Sequence, residues 1–212
     1  MSTHSRDDMS PRAVKTMQFF IFARHAESAA NSAHVVSSDP AHDGGLTALG
    51  ERQASILGDQ LSLLHIDQAV CTRFRRTRRT IEIALRDRKT PVRVEPDLDE
   101  VNAGVFDGVA ISSYWSWKEH HRTDEAFPGG ESLDAAMRRY ATALRRLLEL
   151  DHQVTLIVCH ELALRSIVGA AAEIGHATPY LFDELGVSRA IDRLETLLAR
   201  HERERDVREL AA

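Results

Sequence analysis

The chain has 212 residues, of which 43% are hydrophobic and 28% are charged, and its formal net charge is −5. This composition is that of a globular protein in water, and the length suits one core rather than two domains. The acidic balance gives no overall field that attracts nucleic acid or an anionic membrane. Since no apolar run approaches the roughly 18 residues of a membrane span, we expect neither kind of partner.

The first sixteen residues, "MSTHSRDDMSPRAVKT", are polar and of mixed charge. Because they have no apolar centre, we interpret them as a disordered leader rather than a signal peptide, followed by a single domain over residues 17–212. The two cysteines, Cys71 and Cys159, both lie in apolar, strand-like runs. We therefore expect buried, reduced thiols in a cytoplasmic protein.

Strands and helices alternate through the first half of the chain. Short apolar runs indicate buried strands, and leucines at helical spacing indicate amphipathic helices. The predicted elements are a strand over 17–23, a loop over 32–45, a helix from 46, a strand over 68–72, a helix over 74–86 and a weak strand over 91–94.

The second half begins with a lid insertion over about 105–130 that holds both tryptophans, and each of these could line the pocket or anchor the lid. The elements predicted after it are a helix over 132–150, a buried strand in "HQVTLIVCH", a helix over 161–173 and a C-terminal amphipathic helix over about 187–205. That last helix could pack on the core or on a second copy, which makes a homodimer possible. We find no final strand after residue 175. Alternating strands and helices predict a three-layer α/β/α sandwich with a mostly parallel central sheet.

Three side chains follow strands of this sheet directly: Arg24, His25 and His160. In open α/β sheets, ligands bind beyond the carboxyl ends of the strands. A neutral imidazole is a competent nucleophile near pH 7, and arginines bind phosphate oxygens through forked hydrogen bonds. The pattern therefore indicates phosphoryl chemistry, for which an acid must also protonate the departing oxygen.

Six short motifs follow one another over residues 17–170. They are Arg24-His25-Ala26-Glu27-Ser28-x-x-Asn31, Leu46-Thr47-Ala48-Leu49-Gly50 with Gln53-Ala54, Cys71-Thr72 with Arg76 and Thr80, Glu100 with Gly104, Asp107 and Gly108, "PGGES" at 128–132, and Cys159-His160-Glu161 with Arg165. In this order they resemble the histidine phosphatase superfamily, in the branch that includes cofactor-dependent phosphoglycerate mutases.

The resemblance implies a role for each site residue and requires neither a metal nor an organic cofactor. His25 would be the nucleophile of a phosphohistidine intermediate, with Glu100 as proton donor and His160 as a hydrogen-bond partner of the phosphate. The implied phosphate-binding residues are Arg24, Arg76 and Asn31. Asp97 and Asp99 compete for the acid role, and only the spacing to the two glycines of that motif selects Glu100.

Two departures from the family bear on function. Glu161 replaces a small residue, so a carboxylate would repel substrate unless it points away or pairs with an arginine such as Arg165. Where the mutases carry Arg-His-Tyr after the acid, this chain has Val-Asn-Ala at 101–103. We therefore expect an acid-phosphatase-type hydrolase acting on a small phosphorylated metabolite. A mutase-like phosphotransferase, or a phosphate-binding module disabled by Glu161, is the alternative.

Overall fold

A five-stranded sheet forms the centre of the computed structural model, which describes residues 17–211. The predicted leader over 1–16 lies outside the described residues. The strands are β1 (Phe19–Arg24), β2 (Gln68–Cys71), β3 (Val92–Val94), β4 (Val154–Cys159) and β5 (Pro179–Asp183), in the order β3-β2-β4-β1-β5. The first four are parallel and β5 is antiparallel to β1, so the sheet is mostly parallel, as predicted.

Helices cover both faces of the sheet because successive strand residues point to opposite sides. Phe20 and Phe22 of β1 belong to one apolar cluster, whereas Ile21 and Ala23 belong to the other. The helices are α1 (Ala29–Ser32), α2 (Ala48–Gln60), α3 (Arg75–Ala84), α4 (Ile111–His120), α5 (Leu133–Leu148), α6 (Glu161–Val168) and α7 (Glu184–Leu210). Residues of α5, α6 and α7 pack in the first cluster and residues of α2 and α3 in the second, which gives the predicted three layers.

The C-terminal third differs from the sequence prediction. Helix α6 ends at Val168 rather than 173, because Gly169 adopts φ 128 and turns the chain away. The strand β5, which the sequence did not reveal, then pairs with β1 as an edge strand. Helix α7 spans residues 184–210 rather than about 187–205, and its N-cap Asp183 accepts a hydrogen bond from the Gly186 amide. Within residues 17–211, every helix is too short or too polar to cross a membrane.

The register between the two central strands positions the site. Arg24 at the end of β1 lies opposite Cys159 at the end of β4, so His25 and His160 leave the sheet side by side. The His25 amide donates to the Cys159 carbonyl at 2.9 Å. The two imidazole centroids are 5.3 Å apart.

The loop that carries Glu100 is locked by a glycine at its close approach to the 128–130 turn. Gly104 has φ 55, and a Cβ there would lie 2.1 Å from the Pro128 carbonyl oxygen. Gly108 has a similar φ of 75, but a Cβ there would meet nothing within 4 Å.

We expect Gly104→Ala to lower the free energy of unfolding by roughly 3–5 kcal/mol, because it adds a backbone clash to the strain of a left-handed residue. Gly108→Ala carries only the conformational strain and is the matched control, with an expected loss of about 1–2 kcal/mol. Urea unfolding of both variants measures the difference. Equal losses would show that the close approach at Gly104 contributes nothing to stability.

Candidate active site

A cleft of about 810 Å³, including the part open to solvent, lies at the carboxyl ends of the central strands. Five of the six predicted site residues line it: Arg24, His25, Asn31, Arg76 and Glu100. The sixth, His160, is fully buried directly behind Arg76. The strand ends supply the inner wall, and the lid helix α4 supplies much of the outer wall.

The hydrogen bonds of His25 define its tautomer. Its Nδ1 lies 2.8 Å from the Ala26 carbonyl oxygen, which can only accept, so Nδ1 carries the proton. Its Nε2 accepts a hydrogen bond from Nε of Arg76 at 3.1 Å and therefore holds a lone pair. Burial, and then the charge of Arg76, lower the pKa of His25 well below its usual value. His25 is thus a neutral imidazole with its nucleophilic nitrogen next to a guanidinium.

Arg76 is the central cation of the site. It lies on the buried face of α3 and is 2% exposed, whereas the neighbouring arginines of that helix face solvent. Besides His25, its guanidinium donates to Nδ1 of His160 at 3.1 Å and to the Oγ and carbonyl oxygen of Ser37 at 3.0 Å each. The buried carboxylate of Asp43 lies 3.6 Å from Nη1 and balances its charge.

His160 is held in one tautomer by a chain of hydrogen bonds. Because Arg76 can only donate, Nδ1 of His160 accepts, and Nε2 carries the proton that is donated to Oγ1 of Thr72 at 3.0 Å. The Thr72 hydroxyl in turn donates a hydrogen bond to Oγ1 of Thr77, whose hydroxyl donates to the Phe74 carbonyl at 2.8 Å. Burial, followed by the charge of Arg76, lowers the pKa of His160 well below its usual value.

Glu100 is the carboxylate that faces the two histidines. Its Oε2 lies 3.9 Å from Nδ1 of His160. Burial raises the pKa of Glu100, and the charge of Arg76 opposes the shift only in part. A carboxyl group in this setting keeps its proton to a higher pH than a free glutamate does, as a general acid requires.

The competing carboxylates, Asp97 and Asp99, are paired outside the cleft, with Arg146 and Arg73 respectively. Arg139 of α5 fixes the backbone between them, since it donates to the carbonyl oxygens of residues 97, 99 and 100. It also forms an ion pair with Glu131 at 2.7 Å. Of these three carboxylates, Glu100 is the one that lines the cleft.

Glu161 does pair with an arginine, and with two rather than one. Its Oε2 lies 2.9 Å from Nη1 of Arg24, and its Oε1 accepts from Nε of Arg165 at 2.9 Å. Nη1 of Arg24 also donates to the Ile174 carbonyl at 3.3 Å, while its buried Nε finds no acceptor among residues 17–211. Nη1 of Arg24 is thus fixed by protein groups.

Asn31 contributes to the cleft wall and also shapes it. Its Oδ1 accepts from the backbone amide of Ser28 at 3.0 Å and from the Ser28 hydroxyl at 2.8 Å. The Ser28 Oγ in turn accepts from the Asn31 amide, which completes a capping box at the start of α1. This interaction fixes the turn that follows His25.

The outer part of the cleft is mainly apolar. Trp115, 48% exposed, lies on its wall, and the Nζ of Lys118 lies 4.8 Å from the centre of that ring. Trp117 instead packs in the core against Phe127, so the two tryptophans divide the two roles left open by the sequence. The other apolar side chains of the wall are Ala30, Val35, Val36, Ile111, Tyr114 and Leu162.

Sequence reasoning missed several residues that orient the site, among them Ser37 and Asp43, and it gave Thr72, which it quoted in the Arg76 motif, no role. His176 is another, because its Nδ1 lies 3.0 Å from the carbonyl oxygen of His25. Thr72 belongs to the Arg76 motif and directly follows β2, so its place at a strand end could have indicated a role in the site. The others come from loops whose sequence carries no such pattern. In the part of the chain described, no group of three His, Cys, Asp or Glu side chains is arranged to hold a metal.

Comparison with known proteins agrees with this geometry. A sequence profile of the histidine phosphatase superfamily (branch 1) matches residues 20–204. The chain is 31% identical over 153 residues to a probable phosphoglycerate mutase GpmB of Erwinia tasmaniensis, which covers 68% of this chain and 70% of that protein. The alpha-ribazole phosphatase of Shigella flexneri has a TM-score of 0.68 at 24% identity, over 77% of this chain and 89% of that one. A mycobacterial glucosyl-3-phosphoglycerate phosphatase has a TM-score of 0.65 at 20% identity, over 77% and 92%. At these identities, the likeness to the two solved structures shows that this chain has the same fold, and no more than that.

Proposed function

Since the chain belongs to the histidine phosphatase superfamily (branch 1), we propose that it is a metal-independent phosphomonoester hydrolase that works through a phosphohistidine on a small phosphorylated metabolite. The observation that carries this proposal is the state of His25: neutral, with the lone pair of Nε2 beside the Arg76 guanidinium. A nucleophile and its phosphate-binding cation thus share one point of the cleft.

In the first step, Nε2 of His25 attacks phosphorus while the bond from phosphorus to the ester oxygen breaks. The protonated carboxyl of Glu100 gives its proton to the departing oxygen, so the alcohol leaves neutral. Arg24 and Arg76 stabilise the negative charge of the transferring phosphoryl group, since fixed cations act on it without having to reorganise. The proton on Nδ1 stays on its bond to the Ala26 carbonyl.

In the second step, the Glu100 carboxylate takes a proton from water as the water oxygen attacks phosphorus. The bond between phosphorus and Nε2 breaks, inorganic phosphate leaves, and His25 and Glu100 return to their starting states. In the described tautomer Nδ1 of His160 accepts from Arg76 at 3.1 Å. We assign His160 to the same phosphate as a hydrogen-bond donor, which requires Nδ1 to take up a proton when the phosphate binds. Asn31 completes the assigned phosphate-binding set from the cleft wall.

Hydrolysis is favoured over mutase activity by the loop after Glu100. Val101 and Ala103 are buried in the apolar cluster, so this loop brings no cation to hold a second phosphate. Of the other cations that line the cleft, Arg165 is already paired with Glu161, and the ammonium of Lys118 lies over the Trp115 ring. The mutase name of the GpmB relatives keeps phosphotransfer as the second candidate.

Phosphate release from a panel of phosphomonoesters, with a chelator present, tests the proposal. We expect steady release of inorganic phosphate and no interconversion of 2- and 3-phosphoglycerate by ³¹P NMR, even when 2,3-bisphosphoglycerate is added. Interconversion without release would establish the mutase. Phosphate binding by a folded protein that turns over none of the esters would establish the binding module.

The proposed location is the cytoplasm. Both cysteines are free and buried, Cys71 at the end of β2 and Cys159 at the end of β4. Burial raises the pKa of the Cys159 thiol to about 12, so it stays protonated and unreactive at neutral pH. Free buried thiols support a reducing compartment.

A further inference from the structure

We propose that Glu161 determines specificity, and that the site takes phosphate monoesters of alcohols with a flat apolar body and no second anionic group near the ester. This inference rests on the proposed hydrolase function. It deepens that function by naming the chemical class of the leaving group.

Glu161 is fixed in place rather than free to swing out of the cleft. Both of its oxygens are engaged, one by Arg24 and the other by Arg165. Arg165 is anchored in turn, since its Nη1 donates at 3.0 Å to the carbonyl oxygens of Ala170 and Ala172. The carboxylate therefore keeps its position when the cleft is filled.

This arrangement leaves room for one anion. A phosphate bound to Arg24 and Arg76 neutralises the positive charge of the inner cleft. A second anionic group on the substrate would then lie beside the fixed carboxylate of Glu161, while the Arg165 charge nearby is already neutralised by that carboxylate. Like charges a few ångströms apart repel strongly where protein replaces water.

The surface left for the alcohol is mostly apolar. The exposed face of Trp115, together with Ile111 and Leu162, can cover a flat or aromatic group. Lys118 also lines the cleft, and its positive charge could bind the second anionic group that this assignment excludes. Its ammonium lies over the Trp115 ring, and it therefore serves as the matched control in the test.

The first experiment compares kcat/KM for phenyl phosphate and 2-carboxyphenyl phosphate in the wild type, Glu161→Gln and Lys118→Met. The ratio of the carboxylated to the plain ester cancels differences in leaving-group chemistry when it is compared between enzymes. We expect Glu161→Gln to raise this ratio by about tenfold or more, as removal of a charge repulsion would. Lys118→Met should change it by less than about twofold, since this partly buried ammonium is already engaged over the Trp115 ring.

An unchanged ratio in Glu161→Gln would overturn the inference while leaving the hydrolase intact. So would a wild type that prefers the carboxylated ester and loses that preference in Lys118→Met. If the wild type hydrolyses neither ester nor any other phosphomonoester, the proposed function fails together with the inference. Glu161→Ala, read through the same ratio, replaces the glutamine variant if that variant does not fold.

A second measurement tests the apolar wall without any leaving group. Phenylphosphonate should inhibit about tenfold more tightly than methylphosphonate, because only its ring can pack on Trp115. Trp115→Ala should bring the two inhibition constants within about threefold of each other. Equal inhibition of the wild type by both compounds would show that the wall does not recognise an apolar group.

Discussion

Replacing His25 with alanine is expected to abolish phosphate release, with a fall in kcat on the order of 10⁴ or more, since no covalent intermediate can form without the nucleophile. His25 is buried, uncharged and oriented by three partners: the carbonyls of Cys159 and Ala26 through its two N–H groups, and Arg76 through Nε2. The site contains a second imidazole, His160, but its Nε2 faces Thr72 and its Nδ1 is held by Arg76. It cannot replace His25 without breaking both contacts.

The measurement is phosphate release together with rapid acid-free quenching of enzyme mixed with ³²P-labelled substrate. The wild type should retain label that is stable to alkali and lost in acid, and His25→Ala should retain none. His65→Ala removes an imidazole that is 90% exposed and far from the cleft, and it controls for the loss of a histidine as such. Full turnover by His25→Ala, or label in that variant, would place the nucleophile elsewhere.

Glu100→Gln is expected to lower kcat by about 10²–10⁴-fold for alkyl phosphates, because the alcohol must then leave as an alkoxide. For p-nitrophenyl phosphate, whose phenolate leaves unaided, the first step should be nearly normal and phosphohistidine should accumulate, since water attack still lacks its base. A burst of nitrophenolate by stopped flow measures this. Asp97→Asn is the control, because that carboxylate pairs with Arg146 outside the cleft. An equal loss for both kinds of ester in the first step would remove Glu100 from the acid role.

The pH dependence follows from the same two groups. Catalysis requires His25 neutral, which holds above its lowered pKa, and Glu100 protonated, which holds below its raised pKa. The wild type should therefore be most active between these two pKa values, and Glu100→Gln should lose the alkaline limb of the kcat/KM profile. Both groups line the same cleft, so each limb of the profile reports on one group of the site.

The same substitution should stabilise the fold. A carboxyl whose pKa is higher in the folded state than its ordinary 4.5 destabilises that state once it ionises. The penalty is absent below the unfolded pKa, grows as the pH rises from the unfolded to the folded pKa, and is constant above the folded one. Glu100→Gln should thus raise Tm at pH 7.5 and leave it nearly unchanged at pH 4, which differential scanning calorimetry can measure.

The sequence predicted those parts of the fold that bury a continuous apolar run. Strand β4 is buried at five of its six positions and was the clearest element in the chain. Strand β5 was missed because it lies at the edge of the sheet, with no residue fully buried and Leu181 exposed. Its residues also run straight into α7, so no turn separates a strand pattern from a helix pattern.

For the site, the sequence predicted which residues lie at the strand ends, but it could not predict which side chains form hydrogen bonds and ion pairs with them. Arg24 is the last residue of β1 and His25 follows it, at the strand end where chemistry is expected in such sheets. The pairing of Glu161 with Arg165 follows helical spacing, but its pairing with Arg24 depends on strand register across 137 residues. Asp43, which neutralises Arg76, sits in a loop with no periodic pattern at all.

The inner and outer walls of the cleft are built from different parts of the fold. Of the groups proposed to act on the phosphate, Arg24, His25 and His160 lie at the ends of β1 and β4. The register of these strands is set by six paired residues, and a slip of one residue would turn every side chain to the other face. The groups that meet the alcohol come largely from α4, a ten-residue helix in a connection outside the sheet. Insertions or exchanges in that connection can alter which ester is accepted without moving the nucleophile, whereas changes at the strand ends cannot. A scaffold built this way can diverge in substrate while the phosphoryl chemistry stays fixed.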